Sequence, residues 1–231
     1  DGAFGRGTRA AMQGWQTANG YDPSGVLTTA QRATLLNAYN AVLAPLRMRV
    51  ALDEASGIQM QIPTAAVTFT EYQPPFVKFE AMGDIPQAQV LFISQTGDAG
   101  RLQGLYEVLQ VLDVVPPEGP RQITGDRFVI EGINDNIHTY ATATLQDGAI
   151  KGFLFVWPAG DDARRTRILD EMQGSFMRLN GTLDPDIVPP SPTQAIDMVA
   201  GLRVRRPRLS RSGFFVSQDG HVVTTPAVLD E

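Results

Sequence analysis

Apolar and polar residues alternate from 57 to 63, which predicts a strand at the edge or opening of a sheet, turned by Pro63. Apolar runs at 67–69, 76–80 and 89–94 predict the next strands. The period then changes. Leu102, Leu105, Leu109 and Leu112 recur at helical spacing with Tyr106 at the side, predicting a helix over about 100–113. Pro116, Pro117 and Pro120 impose an irregular stretch after it. Three more runs, 127–132, 138–145 and 150–157, read as antiparallel strands, with Gln146-Asp147-Gly148-Ala149 a tight hairpin between the last two. A long helix is predicted from about 162 to 180, closed by Gly181, with Ile168, Leu169, Met172, Phe176 and Leu179 on one face. Asp161 and Asp162 at its start suit the positive end of a helix dipole.

Both ends of the chain pattern differently. Thr8 as N-cap and Gly20 as left-handed terminator bracket a first helix, whose Ala11, Met12 and Trp15 share a face bordered by Gln16. Thr28 with Gln31 reads as a capping box opening a second helix, with Leu35, Leu36, Tyr39, Val42 and Leu43 in a 3.6-residue pattern. Two helices cannot bury both faces alone, so another segment must complete that core. Beyond the break at Pro190 and Pro192, a short helix is predicted from Thr193 with Ile196, Val199 and Ala200 on one face, stopped by Gly201. A β-hairpin follows over 213–225 and needs further structure to pack on. The fold class expected is α+β, divided as 1–50 helical, 51–190 central sheet packed on helices, 191–209 linker and 210–231 the start of a β domain.

Charge sharpens that division. Net charge is +3 over residues 1–50, −10 over 51–193 and +1 over 194–231, giving −6 for the whole 231-residue chain. Arg203, Arg205, Arg206 and Arg208, with Arg211, form the one basic cluster, a candidate contact for phosphate or an acidic partner. The acidic middle and the lack of a basic strip interleaved with aromatics argue against nucleic-acid binding. No apolar stretch approaches the length of a membrane-spanning helix. The start at Asp1 rather than Met leads us to expect a processed or truncated piece.

The absence of cysteine excludes disulfides, thiolate catalysis and cysteine-ligated metal. His138 and His221 offer no metal-ligand spacing, and no cofactor-binding fingerprint is present. Glu71, Glu80, Glu107, Glu131, Asp161 and Asp162 are the candidate carboxylates, with Glu131 and His138 the one pair considered for acid–base work. Asn180-Gly181-Thr182 matches a glycosylation acceptor, a pattern common by chance.

Three family resemblances bear on function. Asp1-Gly2, Gly5, Thr8, Gly14-Trp15-Gln16, Gly20-Tyr21, Gly25 and Leu27 resemble the second half of a peptidoglycan-binding module over residues 1–46. That resemblance implies a shallow glycan-binding groove with Asp1, Arg6, Trp15 and Tyr21 as site candidates. Residues 55–182 resemble the PsbP-like α-β-α sandwich, used for docking to proteins and rarely for catalysis. Ser212-Gly213-Phe214-Phe215-Val216 and Asp219-Gly220-His221-Val222-Val223-Thr224 resemble the opening of secreted trypsin-like serine proteases. In register with that family, Ala227 stands where the catalytic histidine is expected, and an alanine cannot take a serine proton.

Together these imply a non-catalytic cell-envelope or peptidoglycan-associated protein, periplasmic or extracellular, part of a larger degenerate trypsin-like protein. The alternative is a non-catalytic fragment of an active secreted serine endopeptidase. Peptidoglycan and an envelope protein are the partners expected.

Overall fold

The computed structural model describes residues 5–187 together with the backbone of 214–215 and 222–223. Two helices, α1 (Arg6–Ala18) and α2 (Thr29–Leu43), and a 3-10 turn (Ala44–Leu46) lead into β1 (Met48–Asp53) and β2 (Ile58–Pro63). Then come β3 (Val67–Gln73), β4 (Phe76–Ala81), β5 (Gln89–Thr96) and α3 (Ala99–Leu109). The second half holds β6 (Arg121–Thr124), β7 (Arg127–Ile133), β8 (Ile137–Gln146), β9 (Ala149–Pro158), α4 (Asp162–Ser175) and β10 (Met177–Arg178).

Seven strands form one antiparallel sheet in the order β3-β4-β5-β9-β8-β7-β6, so β5 and β9 join the two halves of the chain. The tight turn between β8 and β9 is as the sequence predicts, with Asp147 and Gly148 both left-handed at φ 52° and 72°. A smaller sheet, β1-β2-β10, lies over one face of the large one together with α4.

Burial on both faces explains why β9 reads as an unbroken apolar run. Leu154 and Val156 join Leu102, Leu105, Leu109 and Leu112 of the α3 region in one core. Phe153, Phe155 and Trp157 point the other way, into a core with Ile58, Met60 and Ile62 of β2 and Ile168 and Met172 of α4.

Four expectations are corrected. The strand over 57–63 is not an edge: β1, which the sequence did not signal, and β10 flank it on either side. The helix expected to run to residue 180 ends at Ser175, because Phe176 turns extended and Met177 and Arg178 pair with Gln59 and Ile58. Ser175 fixes that exit, its Oγ accepting from the Gln61 N–H at 2.9 Å. Gly5, with no side-chain cap, opens α1, and Thr8 falls inside the first turn. A fourth strand, β6, extends the predicted three-strand run to the sheet edge.

The capping box at Thr28 and Gln31 is present in full. Phe214 and Phe215 pair antiparallel with Val223 and Val222, where the sequence places the two strands of a hairpin. No closed barrel is seen among the described residues. The helix expected at 193–201 and the turn of that hairpin lie outside the described residues.

Candidate functional site

The N-terminal helices meet through a polar plug rather than an apolar seam. Gln16 is fully buried, and the two protons of its Nε2 are shared among Val26 O at 3.0 Å, Ser24 Oγ at 3.1 Å and Gln31 Oε1 at 3.2 Å. Its Oε1 accepts from the Gly25 N–H at 2.9 Å. Gly25 sits at φ 73° with Arg9 and Gln13 side chains closing over it, so only glycine fits there. This one side chain therefore holds the loop between α1 and α2. Replacing it by leucine leaves the buried Gly25 N–H without an acceptor and is expected to cost about 1–3 kcal/mol of local stability. Hydrogen exchange at the Gly25 amide reads that loosening, and unchanged protection would refute it.

That loop positions the candidate glycan-binding residues. Trp15 on α1 and Tyr21 just past its end stack with ring centroids 5.6 Å apart and planes 28° apart. Tyr21 is 38% exposed and Trp15 is half-buried. Arg6 is exposed in the first turn of α1. Asp1 lies outside the described residues, as do Arg203, Arg205, Arg206, Arg208 and Ala227.

α2 is tied to the body. Tyr39 packs beside the core with the Arg167 guanidinium 5.1 Å from its ring centre, and burial with the nearby Glu171 and Asp170 raises its pKa.

In the body, β7 and β8 bring Glu131 and His138 together as the sequence suggested. His138 Nε2 lies 3.4 Å from Glu131 Oε2, and its Nδ1 lies 3.7 Å from Asp162 Oδ1 at the start of α4. Among the described residues, no hydroxyl hydrogen-bonds this imidazole. No group of three metal-ligating side chains occurs among the described residues.

The sequence reading passed over a cavity of about 390 Å³ between the β7–β9 face and the C-terminal end of α4. Arg127, Lys151 and Arg178 line it, with Tyr140, Phe153 and Phe176 as its aromatic surface. Phe153 lies 5.9 Å from both other rings, centroid to centroid. Lys78 and Lys151 are the chain's two lysines, and both are buried, although lysine is rarely so. That rarity in the middle of two apolar strands was the available signal.

The two lysines are handled oppositely. Burial pulls the Lys78 ammonium down, but Glu71 at 2.8 Å and Glu80 at 3.3 Å outweigh it and hold its pKa above the ordinary value. Lys151 has no carboxylate: its Nζ donates to Gly57 O and Leu179 O, both at 2.7 Å, stitching the small sheet to the large one. Burial, with the neighbouring Arg178 charge, lowers its pKa.

No family model matches the chain, and no curated protein sequence matches it. Among solved structures it is similar to the cyanobacterial PsbP of Synechocystis sp. PCC 6803, at 13% identity and a TM-score of 0.39, covering 58% of this chain and 93% of that one. It is also similar to a Bacteroides thetaiotaomicron protein, at 10% identity and a TM-score of 0.37, covering 58% of this chain and 49% of that one. The element order and the packing of helices on an antiparallel sheet make the fold α+β. Neither comparison supports a peptidoglycan-binding or trypsin-like domain. Among the described residues, no helix is long and apolar enough to cross a membrane.

Proposed function

We propose that this chain is a non-catalytic accessory part of a cell-envelope protein, periplasmic or extracellular, that contacts peptidoglycan through its N-terminal helical pair. The observation that carries this reading is the stack of half-buried Trp15 on exposed Tyr21, beside the loop held by the Gln16 plug, since the peptidoglycan-binding resemblance assigns both residues to ligand contact. Aromatic faces of this kind offer apolar area with little side-chain entropy to lose. The α+β body serves as a scaffold facing an envelope protein. The degenerate trypsin-like assignment of the parent rests on residues 210–229 and on Ala227.

The test is sedimentation of the chain with purified peptidoglycan. Trp15→Ala combined with Tyr21→Ala is expected to lower the apparent affinity about tenfold or more, as loss of a central aromatic contact does. Circular dichroism on the same variant checks that both helices persist. Equal sedimentation of the variant and the wild type, or none by either, overturns the reading. A parent reading frame that supplies a histidine beyond Glu231, an aspartate and a Gly-x-Ser-Gly segment would instead place the chain in an active endopeptidase.

A further inference from the structure

We propose that the cavity lined by Arg127, Lys151 and Arg178 binds a carboxylate carried on an apolar or aromatic group. Three cations line it and no acidic residue does, within a body that is itself strongly acidic. The carboxylates that act on the lining, Glu131 on Tyr140 and Asp147 on Arg178, lie outside it. Lys78 shows how this fold neutralises its other buried lysine, by pairing it with two glutamates. At Lys151 that neutralising charge is left to come from elsewhere.

The hydrogen-bonding inventory points to a carboxylate with a compact head. The two protons of Arg178 Nη1 are shared among Thr144 O, Thr144 Oγ1 and Lys151 O, and its Nη2 donates to Ala149 O and Gln146 O, so both terminal nitrogens are committed to the protein. Lys151 keeps one of its three protons uncommitted. Arg127 forms no ion pair or hydrogen bond through its guanidinium among the described residues, and it is exposed at the mouth of the cavity. Its planar fork fits one carboxylate through two parallel bonds. Burial raises the Tyr140 phenol pKa, which keeps it a neutral donor beside Thr142 and Gln173.

The rest of the ligand is set by the aromatic surface. Tyr140, Phe153 and Phe176 give an apolar wall of mutually tilted rings, and the volume falls in the range of small-molecule pockets, about 300–1,000 Å³. A carboxylate on Arg127 with its apolar group on Phe153 and Phe176 satisfies both halves. A free aromatic acid and the terminus of a peptide ending in an aromatic residue share that chemistry. The lining includes neither Trp15 nor Tyr21, so this site stands apart from the wall-binding reading.

Calorimetric titration of the full chain at neutral pH and low ionic strength tests it with three probes: phenylacetate, acetyl-Gly-Phe and acetyl-Gly-Phe amide. Saturable binding of one or both acids is expected, with none by the amide and weakening as salt is added. Binding of phenylacetate assigns the free acid, and binding of acetyl-Gly-Phe alone assigns a peptide terminus. Arg127→Ala, at an exposed position whose guanidinium makes no hydrogen bond or ion pair among the described residues, is expected to fold normally and weaken binding about tenfold. Arg127→Lys should recover only part of that loss, since it keeps the charge without the fork. No saturable heat with either acid, equal binding of the amide, or unchanged affinity in Arg127→Ala overturns the proposal.

Discussion

Trp157→Ala is expected to destabilise the folded chain by about 3–5 kcal/mol, the range for removing a large aromatic from a closed core. Trp157 is fully buried near the end of β9, 5.6 Å from Phe155 between ring centroids. It belongs to the core where the large sheet, β2 and α4 meet. Its Nε1 donates to Asp161 Oδ2 at 3.0 Å, tying the strand end to the residue that opens α4. The alanine variant therefore leaves a cavity and releases that tie together. Trp157→Phe separates the two effects, because it keeps most of the apolar volume and loses the hydrogen bond, and should cost about 1–2 kcal/mol. Urea unfolding followed by far-UV circular dichroism measures both variants without relying on tryptophan fluorescence. A loss below about 1 kcal/mol for the alanine variant would show that α4 does not share one cooperative core with the sheet.

The sequence carries most of the large sheet because its strands are either alternating or uniformly apolar, and both patterns have a direct physical meaning. The β8–β9 turn was legible for the same reason: Asp147-Gly148 accepts the left-handed backbone that a tight hairpin requires. β1 was illegible because its pattern is inverted. Val50 and Leu52 are 58% and 52% exposed while Asp53 is buried, so hydrophobicity along Met48–Asp53 does not report an inward face. The end of α4 was misplaced because Phe176 and Leu179 continue a helical period that pairing with β2 overrides. Tertiary pairing of this kind is not written in local propensity.

The same reasoning separates the two sites. Trp15, Tyr21 and the Gln16 border lie within a short stretch, so a local pattern could nominate them. The cavity gathers Arg127, Lys151 and Arg178 from β7, β9 and β10, and no spacing rule brings those positions together. The proximity of Glu131 and His138 follows from adjacent antiparallel strands, with Glu131 opposite Tyr140 and Ile133 opposite His138. What the structure adds is the third partner, Asp162, and the absence of a bonded hydroxyl among the described residues.

Lys151→Met is expected to cost about 2–4 kcal/mol at neutral pH, and the cost should grow as the pH is raised. The first part follows from the two carbonyls: the variant leaves Leu179 O without a donor and Gly57 O with the Leu179 N–H alone. Each bond from a charged donor is worth about 1.5–3 kcal/mol, partly offset by relief of the ammonium's desolvation. The pH dependence follows from linkage. Burial and the Arg178 charge depress the Lys151 pKa in the folded state, so between that value and the ordinary lysine value the unfolded chain binds more protons. Stability from this group is therefore fully present above the unfolded pKa and is lost as pH falls through the folded one. Lys78 works in the opposite sense, its raised pKa removing stability as the pH climbs past it, as do the raised phenols of Tyr39, Tyr72 and Tyr140. The difference between wild type and variant cancels those shared contributions, provided both are unfolded in urea at each pH from neutral to mildly alkaline. A gap that widens with pH is the expected result. A gap that is flat or narrows would mean that Lys151 is held fully charged, and that a countercharge already reaches it inside the fold.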